Sequence, residues 1–239
     1  MKNAYIILLI GFILGSYGQN VFGQFVVAQD TIRGKIGFCP RPGDLNNMTI
    51  VPNDSVFYMF PPDKEIEPWR YVDFYTPSRT IKRGYILGTN LMRVDDYDIV
   101  EVERLSSHGS ISFKNNDVRV NITVTKVTPK DTSIKQNAGG RYVVKGKYAK
   151  GVTRRSSPTL RYQSISVTIK GKVIVFPKSL YEHLLEPEID NMVVYYNPEK
   201  SIVYIVTNNG GIDAYYSALW AVSPRGASSV YIFDPTSRE

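Results

Sequence analysis

The chain has 239 residues, with 29 lysines and arginines against 22 aspartates and glutamates, one cysteine and two histidines. A single cysteine excludes an internal disulfide, and one Cys with two His is too few ligands for a structural zinc site. With 43% hydrophobic residues, 12% of the chain being aromatic, there is ample apolar surface to bury, so the chain is not disordered and must be stabilised by a core.

The N-terminus reads as a secretory leader. Lys2 is followed by the apolar run Ile6 to Leu14, and then by small or polar residues including Gly15, Ser16, Gly18 and Gln19. Cleavage is expected after Gly18 or, by preference, after Gly23. The apolar run is shorter than the roughly 20 residues a spanning helix needs. Removal of residues 1–23 takes away Lys2 alone, so the net charge of +7 becomes +6. An exported chain without a disulfide is expected in the periplasm or at the surface of a Gram-negative bacterium.

From 24 to 108 the chain is broken by Pro40, Pro42, Pro52, Pro61, Pro62, Pro68 and Pro77. Short strands are predicted at 31–38, 56–60, 71–75, 80–87 and 97–105. Ser106-Ser107-His108-Gly109-Ser110 is the candidate boundary to a second region, 109–239. One continuous sandwich and two small β domains both fit this division.

The second region is dominated by period-two alternation, the mark of half-buried strands. Val118, Val120, Ile122 and Val124 alternate with Arg119, Asn121 and Thr123, and Ile165, Val167 and Ile169 alternate with Ser166 and Thr168. Lys170-Gly171, Asn197-Pro198-Glu199-Lys200 and Pro224-Arg225-Gly226 read as three hairpin turns. The runs 192–196 and 202–206 are apolar on both faces, which predicts central strands covered on both sides. One short covering helix is predicted near 178–185, opened by Pro177 and stopped by Pro187. The expected fold is mainly β, with antiparallel sheets forming a sandwich or an open barrel-like body.

Charge is uneven. Between Thr132 and Tyr181 there are eleven basic residues and no acidic one, while Asp54 to Glu103 holds ten acidic against six basic. Lys145, Lys147, Lys150, Arg154 and Arg155 fall close together among glycines and are the candidate site for an acidic partner, whether protein, glycan or lipopolysaccharide. The competing interpretation is a solvated loop and strand face. Export disfavours nucleic acid, and no recognition helix or paired aromatic motif is visible.

Catalytic chemistry finds little support. His108 sits in a Ser/Gly turn, and His183 lies on the predicted helix beside Glu182 and Glu186. Cys39 precedes a proline and opens no helix that could activate its thiol. Asp95-Asp96-Tyr97-Asp98 and Asp44-Leu45-Asn46-Asn47 lack the spacing of a calcium loop. Gly139 to Lys147 departs from a phosphate loop, with one residue too many between its glycines and Tyr148 where Ser or Thr is needed. Asn208-Asn209-Gly210-Gly211 reads as a tight turn, with Asp213 beside it. No catalytic residue, metal or cofactor is therefore expected. The alternatives are a hydrolase using Asp213 or Asp95, Asp96 and Asp98, and a structural component of an envelope assembly, which would show an exposed apolar patch or an open sheet edge.

The leader ending in Gly-Gln, the absence of disulfides and the strand-rich body resemble uncharacterised exported β-rich proteins of Bacteroidota-type bacteria. Within 173–222, the stretch Val173-Ile-Val-Phe-Pro-Lys-Ser-Leu180, the paired strands, the Gly-Gly turn and Ala218-Leu-Trp-Ala-Val222 are similar to small immunity-type proteins. The resemblance implies a non-catalytic interaction protein and assigns no residue a role.

Overall fold

The computed structural model describes residues 23–61, 66–76, 80–211 and 213–235. Apart from Gly23, the predicted leader lies outside the described residues. Among the described residues there are twenty strands: β1 (Gln24–Ala28), β2 (Lys35–Phe38), β3 (Thr49–Pro52), β4 (Val56–Met59), β5 (Trp69–Tyr75), β6 (Ile81–Leu87), β7 (Leu91–Arg93), β8 (Asp98–Val100), β9 (Val102–Ser106), β10 (Ser110–Lys114), β11 (Val118–Lys126), β12 (Ile134–Gln136), β13 (Tyr142–Val144), β14 (Lys147–Tyr148), β15 (Leu160–Ile169), β16 (Lys172–Val175), β17 (Val193–Asn197), β18 (Ile202–Asn209), β19 (Tyr216–Ser223) and β20 (Gly226–Phe233).

They form three five-stranded antiparallel sheets. Sheet I has the order β6-β5-β4-β1-β7, sheet II β20-β19-β18-β17-β8 and sheet III β16-β15-β11-β10-β9. The β2–β3 hairpin and the small sheet β12-β13-β14 complete the fold. The body is a stack of layers with the β2–β3 hairpin outermost, then sheets I, II and III. Val26, Phe57 and Val72 of sheet I pack against Ile36, Phe38 and Val51 of the hairpin. Phe25, Val27 and Tyr58 on the other face of sheet I meet Tyr204 and Leu219 of sheet II. Val203, Ile205 and Trp220 on the second face of sheet II meet Val120, Ile122, Val167 and Ile169 of sheet III.

Sheet II is therefore buried on both faces, as the two-sided apolar runs predict. Alternation succeeds residue by residue in β11, whose burial switches at each step from Val118 to Val124. The turns also follow their chemistry. Lys170 and Gly171 join β15 to β16 with φ of 46° and 81°, the positive pair that a two-residue hairpin loop requires. The chain crosses from sheet I into sheet II at Val94–Asp98, and β9 and β10 form a hairpin across Ser106–Ser110.

The covering helix near 178–185 does not form. Only Lys178–Leu180 makes a 3-10 turn, after which Tyr181 leaves helical geometry at φ −143°. The reason is burial. Leu180, Tyr181, Glu182, His183, Leu184 and Leu185 are all buried, whereas a surface helix of that length can bury only one stripe. Tyr181–His183 continue as turns, and backbone bridges from Lys150 to Leu184 and from Arg161 to Leu185 end the segment in extended geometry.

Trp220 is the largest fully buried side chain, and its indole N–H donates to the Leu180 carbonyl at 3.1 Å. Trp220→Ala should lower the unfolding free energy by about 3–5 kcal/mol. Val173→Ala, at a position 64% exposed on β16, should change it by less than about 0.5 kcal/mol. Urea unfolding of the two variants checks the contrast.

Candidate functional site

The basic residues lie in and beside the β12-β13-β14 sheet, at one end of the sheet II–sheet III sandwich. That sheet is thin, and Val144 is the one buried side chain among its strand residues. Polar contacts to the 178–185 segment hold it in place. The Lys145 ammonium pairs with Glu182 at 2.9 Å, and the Lys147 ammonium donates to the Ser179 carbonyl at 2.7 Å. The Lys150 ammonium pairs with Asp234 at 2.8 Å, with both side chains largely buried. The Lys150 backbone N–H donates to the His183 carbonyl at 2.9 Å, and the Lys150 carbonyl accepts from the Leu185 N–H at 3.0 Å. Gly151 follows because the chain must pass close to Leu185, where a Cβ would lie 2.1 Å from the carbonyl oxygen.

The five predicted site residues thus divide into two groups. Lys145, Lys147 and Lys150 each reach a named acceptor, Lys150 from a largely buried position and Lys145 from an exposed one. Arg154 and Arg155 are exposed on a loop closed by Thr153 and Ser156, whose side chains bond each other at 3.0 Å. Gln136 donates to the Arg154 carbonyl at 3.3 Å, and the Arg154 Cβ approaches Gly140 at the β12–β13 turn. Arg141 follows that turn, with its guanidinium over the Tyr148 ring at 4.0 Å. No ion pair involves Arg141, Arg154 or Arg155 among the described residues. Arg141 and Tyr148 were not among the predicted site residues. Their signal was the Gly139-Gly140 turn, which brings Arg141 back toward the arginine loop and over β14.

The other candidates are dispersed. His108 is exposed in the β9–β10 turn, while His183 is buried rather than lying on an exposed helix face. Burial, with Lys147 and Lys150 nearby, pushes the His183 imidazole down to about 4. Its Nδ1 is buried without a hydrogen-bond partner. Cys39 is buried and its thiol is pushed up, chiefly by desolvation. Asp44 caps a 3-10 turn by accepting from the Asn47 N–H at 3.2 Å. Asp95 accepts from the Arg93 guanidinium at 2.9 Å, and that contact holds its carboxyl below the usual range. Asp98 faces Tyr196, which pairs with Val203, whereas Asp213 follows Asn209. The six residue steps from Val203 to Asn209 span about 20 Å, so these carboxylates sit toward opposite ends of β18. Among the described residues no group of three His, Cys, Asp or Glu side chains could hold a metal ion. No described helix is long and apolar enough to cross a membrane.

Comparison with protein-family models, with curated proteins and with solved structures gives no match to this chain.

The division of the basic residues has a measurable consequence. Lys150→Met removes the ammonium that pairs with the largely buried Asp234 carboxylate and should lower stability by roughly 2 kcal/mol. Arg154→Gln and Arg155→Gln should each change it by less than about 0.5 kcal/mol. Thermal melts of the three variants test the assignment.

Proposed function

We propose that this chain acts by binding, as an exported protein of a bacterial envelope that docks an acidic macromolecule on the arginine edge of its β12-β13-β14 sheet. The immunity-type resemblance favours a protein partner. One observation carries the reading: Arg154 backs onto Gly140 at the β12–β13 turn, Arg141 follows that turn and Arg155 adjoins Arg154, and no ion pair to a carboxylate involves any of the three among the described residues. A planar guanidinium fork matches carboxylate geometry in two parallel hydrogen bonds, and three forks on one rim suit a chain of carboxylates. Lys145, Lys147 and Lys150 contribute positive potential from behind that rim. No step of catalysis is assigned, since the hydrolase alternative needs carboxylates to converge and Asp98 and Asp213 are separated by the length of β18.

A structural role in an envelope assembly is the second reading, favoured by the open edge strand β16 with Val173 and Val175 exposed at 64% and 71%. That strand is only four residues long, begins with Lys172 and is followed by Pro177, features that discourage strand addition. The docking reading is therefore preferred.

Binding to poly-L-glutamate, measured by fluorescence anisotropy, tests it. Affinity should fall steeply between 0.1 M and 1 M salt, as the screening length shrinks from about 10 Å to about 3 Å. The triple variant Arg141→Gln, Arg154→Gln, Arg155→Gln should bind at least tenfold more weakly while melting at the same temperature. Unchanged binding in that variant overturns the reading.

A further inference from the structure

His183 is enclosed by the basic sheet. It is 5% exposed, its carbonyl is held by the Lys150 N–H, and its Nδ1 has no hydrogen-bond partner. Lys147 and Lys150 face it from the β14 side, and Glu182 faces it from its own segment. The Glu182 carboxylate is engaged by Lys145, and Asp234 is engaged by Lys150. A proton added to this imidazole would create a third cation within the influence of the Lys147 and Lys150 ammonium groups, in a site where Glu182 and Asp234 are already paired. The covering element is thinly anchored, because among the strand residues of β12-β13-β14 Val144 alone is fully buried, and polar contacts to the 178–185 segment supply much of its attachment.

We propose that His183 is a proton-operated latch, and that its protonation lifts the β12-β13-β14 sheet off the 178–185 segment. Lifting breaks the Lys145–Glu182 and Lys147–Ser179 contacts, and so adds the Lys145 and Lys147 ammonium groups to the arginine edge. In that last respect the inference rests on the docking reading, and it supplies its regulation: acid strengthens the grip on an anionic partner. The direction follows from the histidine. Closed, the imidazole is pushed from 6.5 down to about 4, so between those values the open state binds the proton better. The closed form is fully favoured above about pH 6.5 and loses ground as pH falls toward 4. The opening equilibrium then rises by about two orders of magnitude between pH 7 and pH 4.

Amide hydrogen exchange reads the latch without any anion, so it succeeds or fails independently of poly-L-glutamate binding. The Lys150 and Leu185 amides close the contact between the two elements. Their exchange, divided by the intrinsic rate at each pH, should rise by about two orders of magnitude from pH 7 to pH 4. The amides of Val120 and Val167 in sheet III should stay protected. His183→Gln should abolish the rise. Should that variant not fold, Lys147→Gln serves. It removes one of the charges that hold the imidazole neutral, so the pH 4 to pH 7 ratio should shrink even though the baseline opening increases. A flat ratio in the wild-type chain, an equal rise at Val120 and Val167, or the same ratio in whichever variants fold would overturn the latch.

Discussion

The rest of the structure depends on the double burial of sheet II. Its strands present Val203, Ile205, Trp220 and Val222 to sheet III, and Tyr204 and Leu219 to sheet I. A sheet with two apolar faces cannot exist with one layer, because hydrophobic burial scales with area removed from water and half of its area would remain wet. It therefore needs both neighbours. The proline-broken first region supplies sheet I, and the alternating second region supplies sheet III. The stacked pair Tyr58 and Phe233, 3.7 Å apart, and the Tyr75 hydroxyl donating to the Ile232 carbonyl fasten sheet I to the free end of β20. This is also why β8, which precedes the candidate boundary, completes sheet II by pairing with β17.

How much of this was legible in the sequence differs by element, for physical reasons. β11, β15, β17, β18 and the β19–β20 hairpin announced themselves because each face of each strand has one environment along its whole length, so alternation or its absence reports burial directly. β1 did not. Phe25-Val26-Val27-Ala28 is apolar on both faces and adjoins the leader, so its pattern merges with an uncharged stretch. β3, β7 and β12 to β14 are two to four residues long, too short to show a period. The basic band was visible as composition, but its division was not. Whether Lys150 points to solvent or to Asp234 depends on a contact spanning 84 residues, which no local pattern encodes.

The split among the basic residues shows how the two interpretations of a charge run can both hold. Lysine at 145, 147 and 150 meets single acceptors, which suits a flexible point charge. Arginine at 141, 154 and 155 occupies the rim, where a wide planar donor can address a ligand. A single-sign run therefore attaches a thin sheet with one part and leaves the other without a carboxylate partner among the described residues, the feature on which the docking proposal rests.

The failure of the 178–185 helix links these features. In an α-helix the carbonyls of Ser179, Leu180 and their neighbours would be consumed by amides four residues on. In the irregular turns that form instead they are available, and buried carbonyls must find donors. Ser179 accepts from the Lys147 ammonium, Leu180 from the Trp220 indole, His183 from the Lys150 amide and Leu185 from the Tyr216 hydroxyl. Two of these donors belong to the core and two to the basic sheet. The segment is thus a two-sided adhesive, fixed to sheet II by Trp220 and Tyr216 and to the β12-β13-β14 sheet by Lys147 and Lys150. Pro187 favours that role by barring helix beyond the segment's far end. Glu186 in the left-handed region at φ 51° turns the chain so that its carboxylate caps the Thr159 and Leu160 amides. A helix in the same place would have covered sheet III equally well, but it would have offered the basic sheet no backbone acceptors and His183 no enclosure.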